Sequence, residues 1–295
     1  MTDRIRLDGK TAIVTGGGGG IGRGCAIRLA EAGANVVIAD IEPTRCEEVA
    51  ARVVDAGGQA LAWPVDMMDG DATHAMIAAA DERFGRVDIL VNNVGGVSHR
   101  AFLEQSERSW QRHIELNLMS MLRCTQDVAK IMIREGRGGS IINVASIEAT
   151  RAAPNFSVYA ACKAGMVSFA RTMAVELAEH NIRVNVIAPD HTVSPGSKGN
   201  RQGPVDTASW KKNTPEEDVA FQQLIPLGYE GDALQCGDAI VFLSSAMAEY
   251  VTGILLPIDG GTWASSGWMR NPDGQWTLNQ GLNFAPPPQN RTGAA

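Results

Sequence analysis

The sequence lacks any excess of positive charge and any long apolar run. No stretch approaches the roughly 18 apolar residues that a membrane span needs. The formal net charge is −7 and the pI is about 5.3, which argues against a nucleic-acid partner because phosphates favour a basic surface. Residues 1–10 carry charges and no apolar segment, so we expect no signal peptide and no membrane partner.

Cysteine is scarce and shows no pattern. The five cysteines, an odd number, form no Cys-x-x-Cys pair and no cysteine–histidine cluster with the spacing of zinc ligands. The sequence therefore predicts no metal site. Reduced thiols, together with the expected absence of a signal peptide, predict a cytoplasmic protein.

Short runs rich in β-branched residues alternate with longer stretches of helical spacing. The predicted strands are residues 11–15, 35–40, 60–66, 88–91, 140–145, 183–188 and 253–258. The predicted helices are residues 25–32, 44–56, 72–84, 107–134, 159–179 and 234–244. Alternation of this kind predicts an α/β fold, a parallel sheet covered on both faces in three α/β/α layers.

Two segments interrupt this alternation. Residues 190–226 are rich in proline, glycine, serine and nearly cancelling charges, and we interpret them as a loop that forms a substrate lid on a domain of residues 1–262. Residues 263–295 form a C-terminal extension. It holds three of the six tryptophans, at positions 263, 268 and 276. They are expected to cover a neighbouring subunit, to form the wall of an apolar substrate pocket, or to pack with no role in selectivity.

A glycine-rich stretch follows the first strand and opens a helix. Residues 15–22 read T-G-G-G-G-G-I-G. Glycine lets the backbone approach a pyrophosphate closely, and the helix N-terminus offers free N–H groups. The sequence thus predicts a dinucleotide site that contains Gly16, Gly20, Ile21 and Gly22.

Asp40 ends the second strand, near the position expected for a carboxylate that binds ribose hydroxyls. Such a carboxylate repels the additional phosphate of NADP. No arginine or lysine follows Gly16 or stands directly after Asp40 to hold that phosphate. The predicted cofactor is therefore NAD.

The glycine spacing T-G-x-x-x-G-x-G and five further features resemble the short-chain dehydrogenase/reductase family. These are Asp66 after the third strand, the N-N-V-G of residues 92–95, Asn117 and Ser146, and Y-x-x-x-K at residues 159–163. The resemblance covers roughly residues 7–262 and implies a Rossmann-like doubly wound sheet. It also implies cofactor contacts from Asp66, Asn93, Gly95, Tyr159, Lys163, Pro189 and either Thr192 or Ser194.

A tyrosine base fits the chemistry that this resemblance implies. Lys163 stands four residues after Tyr159, on the same helix face, and its ammonium is expected to lower the pKa of the phenol together with the nicotinamide ring. The resemblance adds that Lys163 binds the nicotinamide ribose, that Ser146 holds the substrate oxygen, and that Asn117 holds a water in a proton relay. His113 is expected on the surface of its helix.

The turn after the sixth strand departs from the family pattern. Asp190 follows Pro189 where most members have glycine. Aspartate tolerates positive φ better than most residues, so the backbone is expected to keep its conformation. The carboxylate either lies beside the substrate mouth, where it selects a polar or cationic substrate, or caps the following loop. Thr192 or Ser194 replaces the hydroxyl that touches the nicotinamide, and Ser194 matches the spacing better.

These features predict an NAD-dependent oxidoreductase that interconverts a secondary alcohol and a ketone. Two alternatives stay open: an NAD(P)H-dependent reductase of 3-oxoacyl-type ketones, and a non-catalytic NAD-binding regulatory protein. The aromatic extension suggests a hydrophobic alcohol as substrate. The family resemblance implies a homotetramer or a homodimer assembled through two long helices.

Overall fold

The computed structural model describes residues 2–200, 203–271 and 273–278. Its strands are β1 Thr11–Thr15, β2 Asn35–Asp40, β3 Ala60–Pro64, β4 Ile89–Asn92, β5 Gly139–Val144, β6 Ile182–Pro189, β7 Leu255–Ile258, β8 Met269–Arg270 and β9 Trp276–Thr277. Its α-helices are α1 Thr2–Ile5, α2 Gly20–Glu31, α3 Pro43–Asp55, α4 Gly70–Phe84, α5 Glu107–Ile114, α6 Ser120–Glu135, α7 Ser157–Glu176, α8 Pro215–Leu224, α9 Ala233–Ser244 and α10 Thr262–Ser265.

The first seven strands form one parallel sheet in the order β3-β2-β1-β4-β5-β6-β7. The order reverses between β1 and β4, which opens a crevice at the carboxyl ends of these strands. Alternate side chains of β1 enter opposite cores, since Ile13 packs in one apolar cluster and Val14 in the other. The predicted three-layer, Rossmann-like doubly wound fold is confirmed.

Close contact between α2 and α9 depends on glycine. A Cβ atom at Gly24 would lie 2.2 Å from the carbonyl oxygen of Ala233, and one at Gly237 would lie 2.5 Å from that of Gly24. The two helix backbones therefore touch, and this contact supports the start of α2, where the glycine-rich loop ends.

The helix predicted over residues 107–134 is interrupted. The structure divides it into α5 and α6, joined by a π-helical turn, Glu115–Met119. Such turns insert one additional residue into a helix and are frequent at functional sites. Here the turn contains Asn117.

The lid (residues 190–226) is not the plain loop that we predicted. It contains the helix α8 and a 3-10 turn, Thr207–Ser209. The α8 helix begins with a capping box, in which the Thr214 hydroxyl accepts from the backbone N–H of Glu217 and the Glu217 carboxylate accepts from that of Thr214. This cap explains why a helix forms in a segment so rich in proline and charge.

The part of the C-terminal extension that the structure describes packs near the lid. Strands β8 and β9 pair in antiparallel register, and β8 lies against α8. The Arg270 guanidinium lies over the Trp276 ring, with Cζ of Arg270 4.5 Å from the centroid of that ring. Phe284 and the prolines at 286–288, which also belong to the predicted extension, lie outside the described residues.

Within the described ranges, no helix is both long and apolar enough to cross a bilayer. The five cysteine thiols are free and buried. Burial raises the pKa of the Cys46 thiol to about 11 and that of Cys124 to about 12, so these thiols stay protonated at neutral pH.

Candidate active site

The glycine-rich loop lies at the switch point of the sheet, between β1 and α2. Gly16 and Gly20 have φ angles of 64° and 49°, in the left-handed region. A Cβ atom at Gly22 would lie 2.0 Å from the carbonyl oxygen of Gly16, so no larger residue fits there. The loop thus presents bare backbone at the N-terminus of α2, where Ile21 is half-buried, and this geometry fits a dinucleotide pyrophosphate.

The Asp40 carboxylate is fixed beside this loop. It accepts the backbone N–H of Gly18 at 2.9 Å and that of Glu42 at 3.1 Å, one with each oxygen. Carboxylate oxygens accept more than one hydrogen bond each, so both keep capacity for ribose hydroxyls. The position at the end of β2 agrees with the predicted cofactor role.

Asn93 holds the loop from the opposite side of the crevice. Its amide donates to the carbonyl oxygens of Thr15 at 2.9 Å and Gly16 at 3.2 Å. Asp66, after β3, accepts the N–H of Met68 at 2.9 Å and so shapes its own turn. The structure places both residues at the carboxyl edge of the sheet, as predicted, but it shows them bonded to the protein.

Asn117 lies in the π-helical turn, and the protein itself satisfies its amide. The amide nitrogen donates to the carbonyl oxygens of Gly96 at 3.0 Å and His113 at 2.9 Å, and its oxygen accepts the N–H of Gly96 at 3.0 Å. A Cβ atom at Gly95 would lie 2.8 Å from this amide oxygen and 3.3 Å from Nζ of Lys163. Glycine at 95 therefore permits Asn117 and Lys163 to approach each other.

His113 is buried, so the prediction that it lies on the helix surface was wrong. Only 9% of the residue is exposed. Its Nδ1 lies 2.8 Å from the carbonyl oxygen of Ser109, and its Nε2 accepts the N–H of Ser98 at 3.3 Å. The loop after β4 covers this face of α5, which a helical pattern by itself does not reveal.

Ser146, Tyr159 and Lys163 meet at the carboxyl end of β5. The Ser146 side chain lies close enough to the Tyr159 phenol to lower its pKa through a hydrogen-bonding interaction. Nζ of Lys163 lies 5.7 Å from the centroid of the Tyr159 ring and donates to the carbonyl oxygen of Val144 at 2.7 Å. The three side chains that the sequence predicted as a catalytic set are therefore adjacent.

Burial dominates the electrostatics of this set. It lowers the pKa of Lys163 to about 8. It also raises the pKa of Tyr159, which the hydrogen bond from Ser146 lowers and the charges of Glu148 and Asp190 raise further. In the protein alone, burial is the largest cause of the raised pKa of Tyr159. The lowering expected from Lys163 together with the nicotinamide ring stays a prediction.

Asp190 joins three segments of the chain. Its carboxylate lies 3.2 Å from Nη2 of Arg151 and accepts the Thr262 hydroxyl at 2.8 Å. Nε2 of His191 lies 3.3 Å from the same carboxylate. The positive φ that we expected at Asp190 falls instead on His191, at 41°. The carboxylate thus connects the turn after β6 to the turn after β5 and to Thr262, the first residue of α10.

The two candidate hydroxyls after Pro189, the last residue of β6, lie in different places. The Thr192 hydroxyl donates to the carbonyl oxygen of Asp190 at 3.2 Å. The Ser194 hydroxyl bonds to Ser197 at 3.3 Å, and Cβ of Ser194 lies 3.3 Å from the point where a Cβ atom at Gly20 would stand. Ser194 therefore borders the glycine-rich loop, while Thr192 stays beside the turn.

Arg45 is a residue of this region that sequence reasoning missed. It lies in the first turn of α3, and its Cβ is 2.7 Å from the point where a Cβ atom at Gly18 would stand. A basic residue in the helix that follows Asp40 was the available signal. The sequence argument covers only the positions directly after Gly16 and Asp40, and Arg45 lies beyond both.

A pocket of about 490 Å³ opens beside Arg151. Its lining includes the Trp263 indole, which is 50% exposed, and the hydroxyls of Thr150, Thr262 and Ser266. Arg151 also bonds to Glu148 at 2.8 Å, and the backbone N–H of Glu148 donates to the Ser146 hydroxyl oxygen at 3.2 Å. Short contacts thus link this pocket to the Ser146–Tyr159 pair.

A parallel sheet with a glycine-rich loop at its switch point defines a dinucleotide-binding protein of the Rossmann-like class. The comparisons identify the family within that class. The chain belongs to the short-chain dehydrogenases, whose family model matches residues 10–204. It is an oxidoreductase that acts between alcohols and ketones with a nicotinamide dinucleotide, and the predicted family resemblance is confirmed.

Relatives match nearly the whole described domain. The 7α-hydroxysteroid dehydrogenase of Escherichia coli (strain K12) is 37% identical over 261 residues, which cover 88% of this chain and 96% of the relative. A solved structure of a 7α-hydroxysteroid dehydrogenase with NADH and 7-oxo glycochenodeoxycholic acid has a TM-score of 0.80 at 36% identity, covering 88% and 97%. A structure from Agrobacterium tumefaciens with bound NADP has a TM-score of 0.76 at 33% identity, covering 89% and 99%.

Proposed function

We propose that this chain is an NAD-dependent dehydrogenase that oxidises a secondary alcohol to a ketone, or catalyses the reverse, with Tyr159 as acid–base group. The observation that carries the proposal is that Ser146, Tyr159 and Lys163 lie together, with Nζ of Lys163 5.7 Å from the centroid of the Tyr159 ring. A non-catalytic protein on this fold has no need for three polar side chains packed together at the carboxyl edge of the sheet.

Each residue of the set has a separate task. Ser146 donates a hydrogen bond that holds the substrate oxygen next to the Tyr159 hydroxyl. Tyr159 takes the alcohol proton during oxidation and returns it during reduction. Lys163 holds the nicotinamide ribose, and Asn117 keeps the π-helical turn against Gly96 and holds the relay water. NAD supplies the hydride acceptor and a positive ring.

Other residues hold the dinucleotide. Gly16, Gly20, Ile21 and Gly22 surround the pyrophosphate with backbone, and Asp40 accepts the ribose hydroxyls. The remaining members of the predicted cofactor site are Asp66, Asn93, Gly95, Pro189, Thr192 and Ser194. Asp40 favours NAD over NADP, which is the reason for preferring an NAD-dependent enzyme to an NADPH-dependent 3-oxoacyl reductase.

We propose that the substrate binds in the pocket that Trp263 and Arg151 line, and that it enters beside the lid. An indole wall with hydroxyls and a guanidinium beside it fits an alcohol with an apolar body and a polar tail, as a bile acid has. The solved 7α-hydroxysteroid dehydrogenase structure holds such a molecule, 7-oxo glycochenodeoxycholic acid. We also propose that the protein is cytoplasmic and that it forms a homotetramer or a homodimer.

The function is tested by following reduced-nicotinamide absorbance with a panel of secondary alcohols and each of NAD⁺ and NADP⁺. The panel includes hydroxysteroids, terpenoid alcohols, aromatic carbinols and small polyols. We expect turnover with NAD⁺ and with alcohols that have an apolar body. Turnover restricted to small polyols contradicts the proposed substrate class, and NAD binding without turnover on any alcohol favours a regulatory role.

Replacing Asp40 with alanine is expected to weaken the use of NAD and to relax the selection against NADP. The variant loses the acceptor for the ribose hydroxyls and the charge that repels a 2′-phosphate, so kcat/KM with NAD⁺ falls roughly tenfold to a hundredfold. The value with NADP⁺ falls less or rises. Steady-state kinetics with both cofactors measure the ratio, and Asp71→Ala, an exposed position in α4, is the control. An unchanged ratio places the discrimination elsewhere.

Replacing Asp190 with asparagine is expected to shift the pH profile. The negative charge of Asp190 raises the pKa of Tyr159, so its removal lowers that pKa. Because oxidation requires the deprotonated base, the acidic limb of kcat/KM against pH moves to lower pH. Asp71→Asn serves as the control variant. A limb that stays in place, or moves to higher pH, shows that Asp190 does not act on Tyr159.

A further inference from the structure

Arg45 connects the nucleotide end of the site to the lid. Its Nε donates to the carbonyl oxygen of Gly203 at 2.6 Å, and its Nη2 donates to that of Asn200 at 2.9 Å. Only 7% of Arg45 is exposed. Hydrogen bonds from a charged donor in such a position are stronger than bonds between neutral groups. The guanidinium therefore holds two backbone carbonyls of the lid.

The lid segment that Arg45 holds has a definite shape. We call residues 194–200 and 203–206 the lid tip. The backbone N–H of Asn200 donates to the carbonyl oxygen of Pro195 at 2.8 Å, and its side-chain amide donates to that of Pro204 at 3.1 Å. The N–H of Gly203 donates to the Glu42 carboxylate at 3.3 Å. Glu42 and Arg45, at the start of α3, thus both bind the lid tip.

The lid tip lies along the glycine-rich loop. At one end Cβ of Ser194 is 3.3 Å from the point where a Cβ atom at Gly20 would stand. At the other end Nη1 of Arg45 is 3.1 Å from the corresponding point at Gly19. Asp40, the proposed ribose acceptor, bonds to Gly18 in the same loop. The lid tip therefore meets the glycine-rich loop directly at Ser194. Arg45, which holds the lid tip through Asn200 and Gly203, meets the loop beside Gly19.

We propose that the lid tip encloses the dinucleotide as well as the substrate, and that Arg45 is the cofactor-positioning residue that fixes it there. This rests on the proposed nucleotide site. Release of the reduced cofactor then requires the two Arg45 hydrogen bonds to break. Arg45 acts through the lid, since both donating nitrogens are directed at lid carbonyls.

Stopped-flow fluorescence of NADH displacement from the full-length protein tests this proposal. In Arg45→Met, we expect NADH to dissociate roughly tenfold faster or more, because two charge-assisted hydrogen bonds are lost. A second variant changes a residue of the lid tip itself and leaves Arg45 in place. Gly203 has a φ of 69° and open space where a Cβ would stand, so Gly203→Ala strains only the backbone of the lid tip. It is expected to speed dissociation roughly fivefold.

Matched controls exist for both variants. Arg52 is exposed on the same helix, so Arg52→Met leaves NADH dissociation unchanged. Gly85, the C-cap of α4, has a φ of 66° and equally open space, so Gly85→Ala controls for the strain of an alanine at positive φ.

Faster dissociation in both test variants supports the lid proposal, even if every alcohol fails as a substrate and the proposed reaction is overturned. Unchanged dissociation in both overturns the lid proposal and leaves the proposed reaction intact. Faster dissociation in Arg45→Met alone also overturns it, because Arg45 then binds the nucleotide directly.

Discussion

Replacing Tyr159 with phenylalanine lowers kcat by roughly two to four orders of magnitude, which is the usual contribution of a positioned acid–base group. The variant keeps the ring and removes only the hydroxyl that interacts with Ser146. NADH affinity changes little, since the phenol oxygen is one contact among many. The measurement is kcat with NAD⁺ and the best alcohol from the panel, together with an NADH titration by fluorescence.

Tyr250 provides the matched control for this prediction. It is fully exposed, so Tyr250→Phe removes the same atom without touching the site. We expect its kcat to equal that of the unchanged protein. A Tyr159→Phe variant that keeps more than about a tenth of the activity contradicts the assignment of Tyr159 as the acid–base group, because hydride transfer then proceeds without it.

The sequence predicted the part of the site that depends on local pattern. Residues 11–32 have the local pattern of a buried strand, a glycine-rich turn and a helix, and the structure has these three elements. The next buried run of residues forms β2, and Asp40 is its last residue. Tyr159 and Lys163 share a face because one helix contains both. These relations need no knowledge of distant contacts.

Other features follow from contacts between distant segments. His113 is buried because the loop at Ser98 covers it, and Arg45 belongs to the site because Asn200 and Gly203 lie over it. The spacing of apolar residues in α3 and α5 does not predict these contacts with distant segments. The π-helical turn at Asn117 adds one residue to a helix whose apolar spacing predicts no interruption.

The helix α8 is a different case, because its signal was present in the sequence. Thr214, Pro215 and Glu217 form the usual start of a helix, with a capping residue, a proline in the first turn and a glutamate three residues after the cap. The proline and charge content of the lid suggested a loop instead. The capping residues therefore predict the helix correctly, while the composition of the segment does not.

Burial shifts the pKa values of two groups in the site in the direction that favours their neutral forms. Burial raises the pKa of Tyr159 and lowers that of Lys163 to about 8. The predicted lowering of the phenol pKa therefore depends on the positive ring that NAD⁺ supplies. The raised pKa keeps the phenol protonated in the empty protein at neutral pH, and we expect the positive ring of bound NAD⁺ to lower it.

Replacing Lys163 with methionine is expected to affect catalysis and stability in separate ways. The variant loses the ammonium beside Tyr159 and the donor that bonds to Val144, so kcat falls by roughly a hundredfold or more. Its stability relative to the unchanged protein depends on pH. Lys163 is 3% exposed, and its pKa in the folded protein is about 8, against an ordinary value of 10.5. Below pH 8 the folded protein therefore carries a buried charge.

The sign of this dependence follows from proton binding. Between about pH 8 and 10.5 the unfolded chain binds more protons at Lys163 than the folded protein, so stability rises with pH in that window. From near pH 7 to about pH 10, the unchanged protein gains about 2 kcal/mol relative to Lys163→Met, at about 1.4 kcal/mol per pH unit. Chemical denaturation at both pH values measures it, with Lys130→Met, which is exposed on α6, as control. A difference that stays constant with pH shows that Lys163 keeps its ordinary pKa, and burial then does not control the charge of this site.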